Sequence, residues 1–247
     1  MTIDAQRHGS GRASGRRRFL RLALTGAVAV TAGLAFGSGE VSIATRRAVA
    51  HVRPATPEAA LRELAAGNRR WRTFHERHPD QARTDRQTLV GGQHPFAVVL
   101  GCVDSRVPPE LIFDQGLGDL LTVRSAGEVL DEAILGSVMY GVLELGIPLL
   151  VVLGHQSCGA VAAAVHEEEG GAELTGHMRY LGDQIRPAID RGLRRDARVD
   201  AAVTANVRLV RSRLAAEPVL AAKVAARKLA VVGARYELSS QRVRRIR

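Results

Sequence analysis

Leu149-Leu150-Val151-Val152-Leu153-Gly154-His155-Gln156-Ser157-Cys158-Gly159 is the stretch on which the fold turns. Five apolar residues end abruptly at a glycine and a polar cluster, a length and composition that suit a strand buried on both faces. The same pattern occurs at Phe96–Leu100, where the run ends at Gly101 and Cys102, and at Leu120–Val123 and Leu229–Val232. Helical patterns separate these runs. Asp131–Leu145 reads as a capped helix, Ala160–Glu169 as the start of another, and Ala/Arg-rich helices fill Thr175–Ala226. Strand–helix alternation of this kind predicts an α/β fold, a mostly parallel open β-sheet flanked by helices on both faces.

Upstream, Thr56-Pro57-Glu58 has a hydroxyl for the cap, proline at the first helical position and an acid in the first turn. Leu61, Leu64, Trp71 and Phe74 follow at helical spacing and predict one buried stripe. Glu76 to Gln93 reads as a long polar connection, turned at Gly91-Gly92.

In open parallel sheets, ligands gather beyond the carboxyl ends of the strands. Two such ends carry the chain's only cysteines: Cys102-Val103-Asp104-Ser105-Arg106 after one run, His155-Gln156-Ser157-Cys158 after another. Two thiolates and an imidazole fill three corners of a tetrahedral zinc site and leave the fourth open, the pattern of a catalytic rather than a structural metal. The residues alone leave open a Cys102–Cys158 disulfide or two inert buried thiols. They exclude a framework of several disulfides, and there is no Cys-x-x-Cys redox motif. Asp104 is placed to accept a hydrogen bond from a water at the open corner. Arg106 is placed to keep that carboxylate ionised and turned away from the metal.

The formal charge of +10 suggests nucleic acid until its distribution is read. Residues 1–50 hold eight arginines against Asp4 and Glu40, and elsewhere the charges are mixed along helices with no aromatic stacking platform, so no nucleic-acid partner is expected. Arg16-Arg17-Arg18-Phe19-Leu20-Arg21 precedes a mildly apolar run, Leu22 to Phe36, too short to span a bilayer comfortably. This segment resembles a twin-arginine export signal, with Ala48-Val49-Ala50 as a cleavage site and Ser42-Ile43-Ala44 as a second candidate. The expected organisation is an export signal over 1–50, recognised by export machinery, and one catalytic domain over 51–247. Such a chain would be secreted or lie on the outer side of the cytoplasmic membrane.

The pair Cys-x-Asp-x-Arg and His-x-x-Cys-Gly, about fifty residues apart, resembles the β-carbonic anhydrases over most of Thr56–Ser240. Gly67-Asn68-Arg69-Arg70-Trp71, Gln93-His94-Pro95, Val123-Arg124-Ser125-Ala126-Gly127 and Val232-Gly233-Ala234-Arg235-Tyr236 look like that family's early helix element, substrate-binding segment, dimer-interface segment and last strand. Ser125 and Glu128 depart from it, since asparagine is frequent at both positions. The resemblance implies zinc held by Cys102, His155 and Cys158, and Asp104 and Arg106 as a catalytic dyad. It further implies Gln93 as hydrogen-bond donor to CO2 or bicarbonate, a homodimer or higher homo-oligomer, and reversible hydration of CO2 to bicarbonate and a proton. In some members the aspartate becomes a fourth metal ligand in a closed state, an option open to Asp104. Two other readings keep the same residues: a zinc hydrolase of CS2 or COS, and an exported zinc-binding or redox protein without catalysis.

Overall fold

The computed structural model describes residues 53–247, so the leader expected over 1–50 lies outside the described residues. The chain runs α1 (Pro57–Arg72), α2 (Arg83–Thr88), β1 (Ala97–Cys102), α3 (Pro109–Ile112), β2 (Leu120–Ser125), α4 (Glu132–Leu143), β3 (Leu149–His155), α5 (Gly159–Glu168), α6 (His177–Ile185), α7 (Arg195–Ala216), α8 (Pro218–Ala225), β4 (Ala230–Glu237) and β5 (Arg242–Ile246). The strands form one sheet in the order β2-β1-β3-β4-β5. The first four are mutually parallel and β5 is antiparallel to β4.

All four apolar runs are strands. β1 and β3 are buried at every position, because alternate residues serve two different cores. Val99, Leu149, Val151 and Leu153 pack beneath α1 with Phe96, Phe113 and Leu64. Val98, Leu100, Leu150 and Val152 face α4 and α7 through Val138, Val142, Val207 and Leu214. The α1 start is as read, with the Thr56 hydroxyl accepting from the Ala59 N–H.

Three expectations need correction. Phe74 lies beyond the end of α1 with a φ of 55° and is 77% exposed, so it is no part of the stripe. The connection from Glu76 to Gln93 contains α2. The strand through Val232–Tyr236 is followed by another: β5, Arg-Val-Arg-Arg-Ile, is an edge strand with one buried side chain, Ile246, and its arginines hid it from a search for apolar runs.

The topology positions the site. From β1 the chain crosses to β2 on one side, while β3 pairs on the other, so the carboxyl ends of β1 and β3 form the switch point where connections diverge. Gly101 is in register with Leu153, which brings Cys102 and the Gly154–His155 end of β3 side by side.

Candidate metal centre

Cys102 is the last residue of β1 and His155 the last of β3; Cys158 caps α5. One ligand atom from each lies within 4.8 Å of the others, and all three residues are buried. The thiols are free, with Sγ atoms 3.9 Å apart. That is far beyond a bonded S–S distance of about 2.05 Å, which removes the disulfide reading for this state. Two sulfurs each about 2.3 Å from one tetrahedral ion stand roughly 3.8 Å apart, close to the separation found.

The imidazole is set by its backbone. His155 Nδ1 is 3.0 Å from the Gln156 carbonyl; donating that N–H leaves the Nε2 lone pair free, and among the described residues buried Nε2 has no hydrogen-bond partner. An orphaned imidazole nitrogen facing two sulfurs is what a metal would satisfy. The sulfurs give a second indication. The hydrogen bond from Cys158 stabilises the Cys102 thiolate and, aided by the Gly127 N–H at 3.4 Å, pulls its pKa down to about 4. The same contact, reinforced by burial, pushes the Cys158 thiol up. Two buried thiolates at this distance repel, and a divalent cation between them relieves that repulsion. The donor set fits zinc.

Asp104 lies beside these groups, its Oδ2 3.9 Å from His155 Nε2. Arg106 Nε donates to Oδ1 at 3.0 Å and a terminal nitrogen to Oδ2 at 2.8 Å, while the Arg106 backbone N–H also reaches Oδ1 at 2.9 Å. This fork holds the carboxyl at a pKa of about 2. The same guanidinium donates to the Ser157 carbonyl at 3.3 Å, tying the two motif loops together.

Gln93 is not brought to this cluster within one chain. It is exposed and precedes β1, whereas Cys102 ends the strand, roughly 17 Å along it.

Several contributors escaped the sequence reading. Arg124 clamps the first motif from β2, donating to the Cys102 and Asp104 carbonyls at 2.8 Å each. Buried Asn206 on α7 donates to the Gly127 carbonyl at 2.7 Å, steadying the residue whose N–H faces Cys102. Gly127 has a φ of 64°, and a Cβ there would come 2.9 Å from Ile185. Gln156 is anchored through its N–H to the Tyr236 carbonyl and through Oε1, which accepts from the Ser239 N–H. A glycine just past a strand end was the one local signal; Asn206 gave none, being 79 residues from its partner.

The comparisons with known proteins agree with this geometry. Residues 97–243 match the family model described as carbonic anhydrase. Carbonic anhydrase 2 of Mycobacterium tuberculosis is 43% identical over 189 residues, covering 75% of this chain and 91% of that protein. A carbonic anhydrase of Mycolicibacterium smegmatis is 41% identical over 189 residues, covering 76% and 92%. Among solved structures, the β-carbonic anhydrase CafA of Aspergillus fumigatus superposes with a TM-score of 0.61 at 28% identity, over 76% of this chain and 89% of that one. A Coccomyxa β-carbonic anhydrase in complex with acetazolamide gives 0.60 at 26%, over 75% and 86%. With the Cys-His-Cys cluster at the sheet's switch point, this chain belongs to the β-carbonic anhydrase family.

Proposed function

We propose that this chain is a zinc carbonic anhydrase that interconverts CO2 and bicarbonate outside the cytoplasmic membrane, working as a homo-oligomer. The observation that carries the chemistry is the convergence of Cys102, His155 and Cys158 on one point beside an ionised Asp104. Zinc held by these three residues supplies Lewis acidity that makes a water nucleophilic near neutral pH. Asp104, kept anionic by Arg106, would accept a hydrogen bond from a water at that position and turn its lone pair toward the carbon of CO2. While Arg106 engages both carboxylate oxygens, Asp104 stays off the metal position; release of that fork is what the closed state would require. The apolar walls Val129, Val161 and Val203 pack around the cysteines and keep bulk water from them.

The oligomer reading rests on Gln93. Its place at the far end of β1 means that a substrate contact from this residue comes from a second copy. The export reading rests on Arg16-Arg17-Arg18-Phe19-Leu20 and the weakly apolar run behind it. Export of an already folded chain would let zinc fill the site before the thiols meet an oxidising compartment.

Stopped-flow CO2 hydration by the zinc-loaded chain tests the activity: turnover well above the buffer rate is expected, and a buffer-level rate ends the reading. Lysine at positions 16, 17 and 18 should retain the chain in the cytoplasm with the leader uncut; unchanged export overturns that part alone.

A further inference from the structure

Away from the metal, between α1 and the β4–β5 edge, lies a cavity of about 270 Å3. Its floor is core: Leu64, Phe113, Val151 and Val232. Four arginines stand around it, Arg69 and Arg72 from the last turn of α1 and Arg242 and Arg245 from β5. No acid lines it. Among the described residues none of the four guanidinium groups makes an ion pair or a side-chain hydrogen bond. Arg70, on the same helical turn, is bound by Glu63 and Asp114. Arg235, on the neighbouring strand, is bound by Asp200 and Glu237. The described residues thus supply acids to the cations on either side of the cavity and none to the four around it.

We propose that this cavity binds a single-chain amphiphile with an anionic head, its tail on the apolar floor and its carboxylate or phosphate held by the guanidinium forks. Both head groups match the fork geometry, and an apolar pocket with a few convergent polar groups is the usual form of a small-ligand site. Charge argues against occupants drawn from the protein itself: residues 1–50 carry a net +6 (eight Arg against Asp4 and Glu40), and residues 51–247 of a second copy bring another +4.

Calorimetric titration of the zinc-loaded full chain with hexanoate, octanoate and decanoate, below micelle formation, tests the proposal. One ligand per chain is expected, with affinity rising roughly fourfold for each methylene buried. Decanol should bind at least about tenfold more weakly than decanoate, and the surface double variant Arg69→Ser, Arg245→Ser should lose a similar factor. Decyl phosphate binding above decanoate would assign a phosphate head, and the reverse a carboxylate. Ala65→Phe, which fills the cavity from the exposed side of α1, should abolish binding while thermal unfolding reports an intact fold. Four results overturn the proposal: no saturable binding, affinity indifferent to chain length, affinity unaffected in the arginine variant, or binding that survives Ala65→Phe. Survival together with inhibition of CO2 hydration would put the carboxylate on the metal instead.

Discussion

At the carboxyl end of the sheet, Arg106 holds Asp104 at a pKa of about 2, whereas at the amino end burial raises that of Asp119 to about 6. Both ends bury polar atoms without hydrogen-bond partners among the described residues, His155 Nε2 at one and Asp119 Oδ1 at the other. Their neighbours differ. Asp119 Oδ2 accepts from the Gly116 N–H at 2.8 Å, and Arg53 stands 3.7 Å from Oδ1, so that acid is answered by backbone and one cation and serves the turn before β2. Among the described residues His155 Nε2 has no hydrogen-bond donor, only the anionic Asp104 Oδ2 at 3.9 Å, and two sulfurs converge on the same space. A perturbed pKa or an orphaned atom therefore does not by itself mark a metal site; soft ligands converging on one point do.

The comparison breaks most readily at Cys158. Cys158→Ala removes one ligand of three, so zinc content should fall from one per chain toward zero and CO2 hydration by at least about 1,000-fold, read by metal analysis and stopped-flow rates. Full zinc with a normal rate would reduce the carboxyl end to the structural status of the amino end. Asp104→Asn sharpens the contrast: zinc stays, and the rate falls about 10–100-fold, the scale for a group acting on the metal's surroundings. Gly127→Ala probes the peptide that faces Cys102. A methyl at a φ of 64° costs about 1–2 kcal/mol, its clash with Ile185 adds to that, and the thermal midpoint should drop by several degrees. The smallest effect belongs to the amino end. Asp119 is held above its unfolded value, so its contribution is fully present below pH 4 and is lost as pH rises through about 6. Asp119→Asn should flatten that fall, which cannot exceed about 1.4 kcal/mol per pH unit for one proton. Urea midpoints at pH 4, 5, 6 and 7 measure it.

What could be read from sequence divides along physical lines. Buried parallel strands need apolar side chains on both faces, so Phe96–Leu100 and Leu149–Leu153 declared themselves. β5 did not, because an edge strand beside solvent tolerates arginine, here at three of its five positions. The metal ligands were legible because thiol and imidazole at strand ends are chemically rare. Arg106 was legible through its short spacing from Asp104. The backbone N–H of Gly127, the Asn206 amide and the Arg124 clamp are tertiary contacts built from ordinary residues, and nothing in their spacing announces them. Phe74 misled because helical period continued in sequence past the point where the backbone left the helix at Thr73.

X-ray absorption at the zinc edge of the purified chain reaches the central claim most directly. Two sulfur neighbours near 2.3 Å with two lighter ones near 2.0–2.1 Å are predicted, the latter being His155 and an exchangeable oxygen. A shell without sulfur, or one with more than two, would contradict the assignment of Cys102, His155 and Cys158 as the ligands.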